Sequence, residues 1–340
     1  MVNRVLLIGS GGIGRRHLAV LRATLPGVPV TLLRRPNAPE LDHAVAAEIE
    51  RAVDDIAAAL VLRPDFAVIA SPATSHIRFA LDLAAAGIPM LIEKPLSVDL
   101  TGCAELGRLC RAKSLPVLIG YTMRYHPGFI AFAEHFQAGA VGRPVSLRAE
   151  VGQHLPDWRP GTDYRQSVTA QCELGGGALL ELSHEIDLVR ALLGMPQTIQ
   201  AHFDRLGDLD IDVEDTVDLV MRHQTGKLTH AVASIHLDLL QRPARRRLVL
   251  CGTESTLELD FITGRLQQHR PDGSSQDLAF SKPADRNTLY AAELADLLQA
   301  IRGGATPRVG LVDGIATQSI IEAARRAAET GGTIAVTEAA

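Results

Sequence analysis

The chain has 340 residues, 34 Lys and Arg against 39 Asp and Glu for a formal charge of −5, and 46% apolar residues. That length suits two compact domains, and the apolar share excludes the disordered and fibrous classes. No basic run tracks a phosphate backbone and the apolar run after Arg4 is too short for a signal segment or a membrane span, so the expectation is a cytoplasmic protein without nucleic-acid or membrane partners.

Taken in chain order, Arg4 to Ile8 reads as a short buried strand ending in glycines, followed by a helical pattern over Ile13 to Thr24 and a second strand over Val30 to Leu33. Strands at Phe66 to Ala70, Pro89 to Ile92 and Val117 to Gly120 alternate with helices at His76 to Ala86 and Val98 to Lys113. Short continuous apolar strands between amphipathic helices predict a parallel sheet covered on both faces.

Beyond residue 121 the pattern changes. A helix over Pro127 to Ala138 leads to a strand at Val145 to Val151, and a helix over Leu179 to Leu193 follows a long loop. Period-two strands then appear at Ile199 to Arg205, Thr216 to His223, Lys227 to Leu237, Arg247 to Cys251, Thr256 to Phe261 and Arg265 to Arg270. Val217, Leu219 and Met221 share one face while Asp218 and Val220 take the other, and Gln-Thr-Gly and Ile-Thr-Gly links favour antiparallel neighbours. Helices over Asn287 to Ile301 and Asp313 to Glu329 close the chain. Cys103, Cys110, Cys172 and Cys251 form no CxxC and no zinc spacing, so no metal site is expected and all four read as buried thiols in a reducing compartment.

Gly9-Ser10-Gly11-Gly12-Ile13-Gly14 matches G-x-G-x-x-G between a strand and a helix, the context in which that pattern signifies a dinucleotide site. Gly9 permits the tight turn, Gly11 admits a pyrophosphate, Gly14 allows close helix packing, and the helix N-terminus supplies donors and partial positive charge. Where an NAD enzyme would place a carboxylate at the end of the second strand, this chain has Arg34 and Arg35, and no carboxylate until Glu40. Two guanidiniums suit a 2′-phosphate, favouring NADP over NAD; a solvated strand end is the alternative.

Glu93-Lys94-Pro95 follows a strand directly, at the edge where parallel sheets bind ligands, and there Lys94 can hold a ribose and stabilise a developing alkoxide. Its bond to Pro95 is a candidate cis peptide. Glu181, His184 and Asp187, spaced i, i+3, i+6, flank an imidazole with two carboxylates along one helix, as a general acid/base requires; which of the two orients the ring is open. The Gln153 to Ser167 loop carries the single Trp158 with Arg159, Tyr164 and Arg165, suited to stacking on a sugar ring and gripping an anion, or to anchoring the loop.

On these residues the chain resembles the Gfo/Idh/MocA oxidoreductases. Gly9 to His17 is similar to that family's opening turn, Ser71-Pro72-Ala73-Thr74-Ser75-His76 to its loop beside the nicotinamide, Glu93-Lys94-Pro95 to its EKP signature, Gly175 to Asp187 to its catalytic helix, and Asp313 to Ala324 to its closing helix. The family usually carries Asp four residues before the His, where this chain has Leu180 and then Glu181. Tyr121 to Pro127, Asp157 to Pro160 and Leu182 to Asp187 resemble a subgroup associated with bacterial surface sugars.

The resemblance implies an α/β protein: an N-terminal Rossmann domain with a doubly wound parallel sheet over 1–121, and a C-terminal α+β domain with an open, mainly antiparallel sheet over 122–340. The closing helix over 313–330 is placed to pack back on the first. It further implies assembly as a homodimer or homotetramer through the second sheet. Lys94 and His184 would be the catalytic pair, with Glu181 beside them. The cofactor set would be Gly9, Gly11, Gly12, Ile13, Gly14, Arg34, Arg35, Ser71, Pro72, Thr74, His76, Glu93 and Lys94; His76 reads equally as a helix N-terminal residue lining the cleft. Tyr121, Arg124, Trp158, Arg159, Tyr164 and Asp187 would meet the substrate. The activity implied is NAD(P)-dependent hydride transfer at a hydroxyl or keto carbon of a sugar, sugar nucleotide or cyclitol. Reduction of another carbonyl or imine is an alternative, as is a silent dinucleotide-binding regulator, against which retention of Lys94 and His184 argues.

Overall fold

The computed structural model describes residues 2–36, 38, 40–224, 226, 229–283 and 285–337. In the first part run β1 (Val5–Ile8), α1 (Gly12–Thr24), β2 (Val30–Leu33), α2 (His43–Ala47), β3 (Arg51–Val53), α3 (Ile56–Val61), β4 (Phe66–Ile69), α4 (His76–Ala86), β5 (Met90–Glu93), α5 (Cys103–Lys113) and β6 (Val117–Gly120). Then follow α6 (Pro127–Gln137), β7 (Pro144–Gly152), α7 (Ala178–Glu181), α8 (His184–Leu193), β8 (Pro196–Asp204), β9 (Thr216–Gln224), β10 (His230–Asp238), β11 (Arg245–Gly252), β12 (Thr256–Asp260), β13 (Arg265–His269), β14 (Ser275–Asp277), α9 (Asn287–Ile301), α10 (Leu311–Thr330) and β15 (Ile334–Ala335).

The chain divides into two units, Met1–Thr122 with Ala284–Ile315, and Met123–Pro283 with Ala316–Ala340. Instead of the single domain expected over 122–340, α9 joins the first unit, packing on α1, β5 and β6. The return is invisible locally, because an amphipathic helix does not state which sheet its apolar face covers.

In the first unit six parallel strands lie in the order β3-β2-β1-β4-β5-β6. That is the doubly wound order, with its switch point between β1 and β4. Val5, Leu6, Leu7 and Ile8 are at most 1% exposed, as a strand covered on both faces demands, and each such side chain contributes about 1.5–3 kcal/mol by burial. The helix expected from Val98 begins only at Cys103: Gly102 takes a positive φ of +77°, and a Cβ there would stand 2.6 Å from Ile77 Cγ2. Strand β3, three residues long and largely exposed, lacks the apolar run that reveals its neighbours.

In the second unit nine strands form a sheet ordered β14-β13-β12-β11-β7-β10-β9-β8-β15. All neighbours are antiparallel except β7 and β10. In β9 the buried Val217, Leu219 and Met221 alternate with the exposed Asp218 and Val220, so one face is covered, with α7 and α8 packed on β7, β9 and β10. The strand expected from Lys227 begins at His230; Lys227 and Thr225 of the Gln-Thr-Gly link lie outside the described residues. Cys103 and Cys110 are buried, their thiols pushed up by burial to about 12 and about 11; Cys172, expected buried, is exposed in a short loop turn, and Cys251 is half-buried.

Candidate active site

The cofactor turn closes the C-terminal end of β1. Gly9 has φ +104°, and a Cβ there would stand 2.5 Å from the Ala70 carbonyl oxygen at the end of β4. A Cβ on Gly14 would run into the Gly9 carbonyl. At Gly11 and Gly12, by contrast, a Cβ would have no neighbour within 4 Å. Gly11 is the N-cap of α1 in an extended conformation with no side-chain cap, and the first turn holds no acidic residue. Uncapped N–H groups, open space and absent negative charge together fit a dinucleotide pyrophosphate.

At the end of β2, Arg34 is half-exposed and Arg35 exposed, and the Arg34 amide donates to the Val53 carbonyl at 3.0 Å. After β4, Ser71 and Ser75 share a hydroxyl hydrogen bond of 2.7 Å, with Pro72 half-buried and Thr74 exposed. His76 is buried and ties two loops together: its Nε2 lies 2.8 Å from the Ser71 carbonyl and its Nδ1 2.9 Å from that of Pro95. Burial pushes the imidazole below its ordinary range, against the pull of those two carbonyls and the Glu93 charge. With 1% of its surface exposed, the His76 side chain is enclosed between the two loops it joins.

The β5 end is built around Glu93. Its Oε1 lies 2.6 Å from Nε2 of His17 on α1, and its Oε2 accepts the Lys94 amide at 3.2 Å. The peptide between Lys94 and Pro95 is cis, as the sequence suggested. Gly120, paired with Glu93 across β5 and β6, would bring a Cβ within 3.1 Å of Oε2, so its bareness makes room for the carboxylate. Tyr290 of α9 meets His17 edge-on at 5.3 Å, and Arg16 lies over the Tyr290 ring. Glu293, one turn on, has no exposed surface; burial, with the Glu93 and Asp296 charges adding, pushes its carboxyl well above the usual range. The sequence pattern does not single out His17, Tyr290 or Glu293. Only the position of His17, three residues after Gly14, offers a signal.

In the second unit the segment expected as one helix is two. α7 ends at Glu181, Ser183 turns its hydroxyl back to the Leu180 carbonyl at 2.9 Å, and α8 begins at His184. The i, i+3, i+6 alignment along a single helix therefore does not hold. Glu181 accepts from Thr169 Oγ1 at 2.8 Å. Glu214 serves the start of α7, its Oε1 accepting the Leu179 amide at 3.0 Å. In the first turn of α8, Glu185 receives a two-pronged Arg246, at 2.7 and 3.1 Å, and Asp187 receives Arg124, Arg190 and Thr317. Both carboxylates are buried, favourably placed at a helix N-terminus, whereas His184 between these anchors stays half-exposed.

Trp158 is half-buried and donates its indole N–H to the Gln153 carbonyl at 2.9 Å; Arg159 is exposed, and the half-buried Tyr164 accepts the Asp210 amide at 3.1 Å. Tyr121 and Asp187 have no exposed surface, so any part they take in substrate binding passes through neighbours. The expected residues thus form two groups: the dinucleotide set with Lys94 and Tyr121 at the strand ends of the first unit, and Arg124, Trp158, Arg159, Tyr164, Glu181, His184 and Asp187 in the second. Among the described residues, no cluster of three His, Cys, Asp or Glu side chains is arranged to hold a metal ion, and no helix is long and apolar enough to cross a membrane.

A doubly wound nucleotide-binding unit with a lysine at a strand end, followed by a unit built on an open mixed sheet, defines a dinucleotide-dependent oxidoreductase class. Residues 3–121 match the family model described as "Oxidoreductase family, NAD-binding Rossmann fold", and residues 129–258 match the "GFO/IDH/MocA C-terminal domain". The chain belongs to the Gfo/Idh/MocA oxidoreductase family. It is 27% identical to a D-apiose dehydrogenase of Paraburkholderia graminis, over 96% of this chain and 88% of that one. It is 30% identical to an inositol 2-dehydrogenase of Gluconacetobacter diazotrophicus, over 55% of this chain and 53% of that protein, so it spans about half the length of the inositol dehydrogenases it matches. Its fold is that of the WlbA dehydrogenase from Bordetella pertussis, solved in complex with NADH and UDP-GlcNAcA, with TM-score 0.81, 20% identity and 99% of each chain covered.

Proposed function

We propose that this protein is an NADP-preferring dehydrogenase or reductase acting on a hydroxyl or keto carbon of a sugar, sugar nucleotide or cyclitol. The observation that carries the reading is the strand-end arrangement of the first unit: an open glycine turn at an uncapped helix N-terminus, with Lys94 two strands away along the same edge. The names of the relatives, a sugar dehydrogenase and a cyclitol dehydrogenase, support the substrate class.

Gly9, Gly11, Gly12, Ile13 and Gly14 hold the pyrophosphate through backbone N–H groups. Arg34 and Arg35 grip the 2′-phosphate, and Ser71, Pro72 and Thr74 line the nicotinamide end, held in place by His76. When bound, the nicotinamide supplies the hydride acceptor or donor. In the oxidative direction the His184 imidazole takes the proton of the substrate hydroxyl while the Lys94 ammonium stabilises the alkoxide as the carbonyl forms; reduction reverses both roles. Glu181 supports His184 in this reading, Trp158 and Tyr164 offer faces to the sugar ring, and Arg124 and Arg159 bind anionic groups on the substrate. The exposed Val220 and Val232 on the open face of the second sheet support assembly into a homodimer or homotetramer.

The test is a change in absorbance at 340 nm with NADP or NAD and a panel containing D-apiose, myo-inositol and UDP-GlcNAcA. The expected result is turnover of at least one panel member, with K94A and H184A each lowering kcat by about 10²- to 10⁴-fold while dinucleotide binding persists. Dinucleotide binding with no turnover across the panel favours the silent regulator.

A further inference from the structure

A side chain outside both groups of expected site residues is built into the support of Lys94. The chain of contacts is short: the His17 ring to Glu93 Oε1 at 2.6 Å, then Glu93 Oε2 to the Lys94 amide at 3.2 Å. Both side chains are almost fully enclosed, 3% and 7% exposed. His17 lies on α1, whose N-terminus forms the cofactor turn, and Glu93 lies at the end of β5, so the contact spans 76 residues of sequence. Gly120 makes room for the carboxylate on one side and Tyr290 walls the imidazole on the other. Glu293 is buried nearby, and burial, with the Glu93 and Asp296 charges adding, pushes its carboxyl well above the usual range.

We propose that His17 is a positioning residue for hydride transfer, its imidazole fixing the Glu93 carboxylate and through it the Lys94 peptide, so that cofactor turn and lysine are held in one rigid frame. A hydrogen bond to an ionised carboxylate in a site shielded from water is stronger and more directional than one at the surface. The proposal rests on the reading of Lys94 as the group that stabilises the alkoxide.

The test compares full-length parent, H17A, H17Q and K94A. Glutamine is the conservative variant, because its amide N–H reaches close to the place of imidazole Nε2. Amide hydrogen exchange of the peptide spanning residues 91–96 reads the Lys94 N–H directly and needs no substrate. H17A is expected to speed that exchange about tenfold while β1 and β4 keep parental protection, and H17Q is expected to restore it to within about threefold. In the 340 nm assay, with the panel member turned over by the parent, H17A is expected to lower kcat about tenfold with KM and NADPH affinity within about threefold, and H17Q to recover it. Parental protection of residues 91–96 in H17A overturns the proposal, as does exchange accelerated equally throughout the sheet, or H17Q as impaired as H17A. K94A with parental kcat sinks the role of Lys94 instead, and the exchange data then still decide whether His17 holds the Glu93–Lys94 peptide.

Discussion

Arg124 Nη1 stands 3.4 and 3.5 Å from the two carboxylate oxygens of Asp187, a side chain with no exposed surface that also receives Arg190 at 3.3 Å and Thr317 at 3.4 Å. Asp187 is thus the shared counter-ion of two guanidiniums. Removing it takes from both guanidiniums the buried charge they share, a change that costs about 3–5 kcal/mol in comparable buried pairs. D187N, which keeps the shape and loses the charge, is expected to lower the urea midpoint by the equivalent of about 3 kcal/mol; parental stability would contradict the shared counter-ion.

The glycines of the cofactor turn differ in what a methyl group would do. At Gly14 it collides with the Gly9 carbonyl, whereas at Gly11 it meets nothing. G14A is therefore expected to lower the melting temperature and NADPH affinity together. G11A should melt within about 2 °C of the parent yet bind NADPH at least tenfold more weakly, because the added carbon occupies the space offered to phosphate. Fluorescence titration beside a thermal melt separates the two, and parental affinity in G11A argues against the pyrophosphate lying there.

The proposed preference for NADP rests on Arg34 and Arg35. Replacing both with Ala is expected to weaken NADP binding at least tenfold, about 1.4 kcal/mol, while NAD affinity changes by less than about threefold. Equal losses for the two cofactors, or a parent that prefers NAD tenfold, would sink the assignment.

Glu293 makes stability depend on pH in a definite direction. Its carboxyl titrates above the usual range in the folded chain, so the folded state retains a proton that the unfolded state releases above about pH 4.5. The contribution is complete below that pH and is lost as pH rises toward the folded value. E293Q mimics the protonated acid and cannot ionise, so its melting temperature relative to the parent should rise as pH increases from 5 toward the folded-state value and level off beyond it. A constant difference across that range would mean that Glu293 does not gain a proton on folding.

Much of the fold was legible because its signals are local. β2, β6, α4 and α9 begin and end where the apolar period places them. Val98 to Gly102 misled because its composition suits a helix, whereas Gly102 packs against Ile77 in a backbone conformation that interrupts one. The break between Glu181 and His184 escaped for a similar reason: leucines on both sides keep the helical period while Ser183 turns back on Leu180.

By itself the sequence determined a parallel unit with five of its six strands, the glycine turn, the arginines in place of an acid after β2, and Lys94 at a strand end, because each follows from spacing within a few residues. Only the tertiary structure decided that α9 returns to the first unit, that His17 anchors Glu93, that His76 joins two loops, and that Asp187 faces arginines. Those relationships hold between residues far apart in the chain, and their strength comes from exclusion of water, a property of the packed molecule that no local pattern carries.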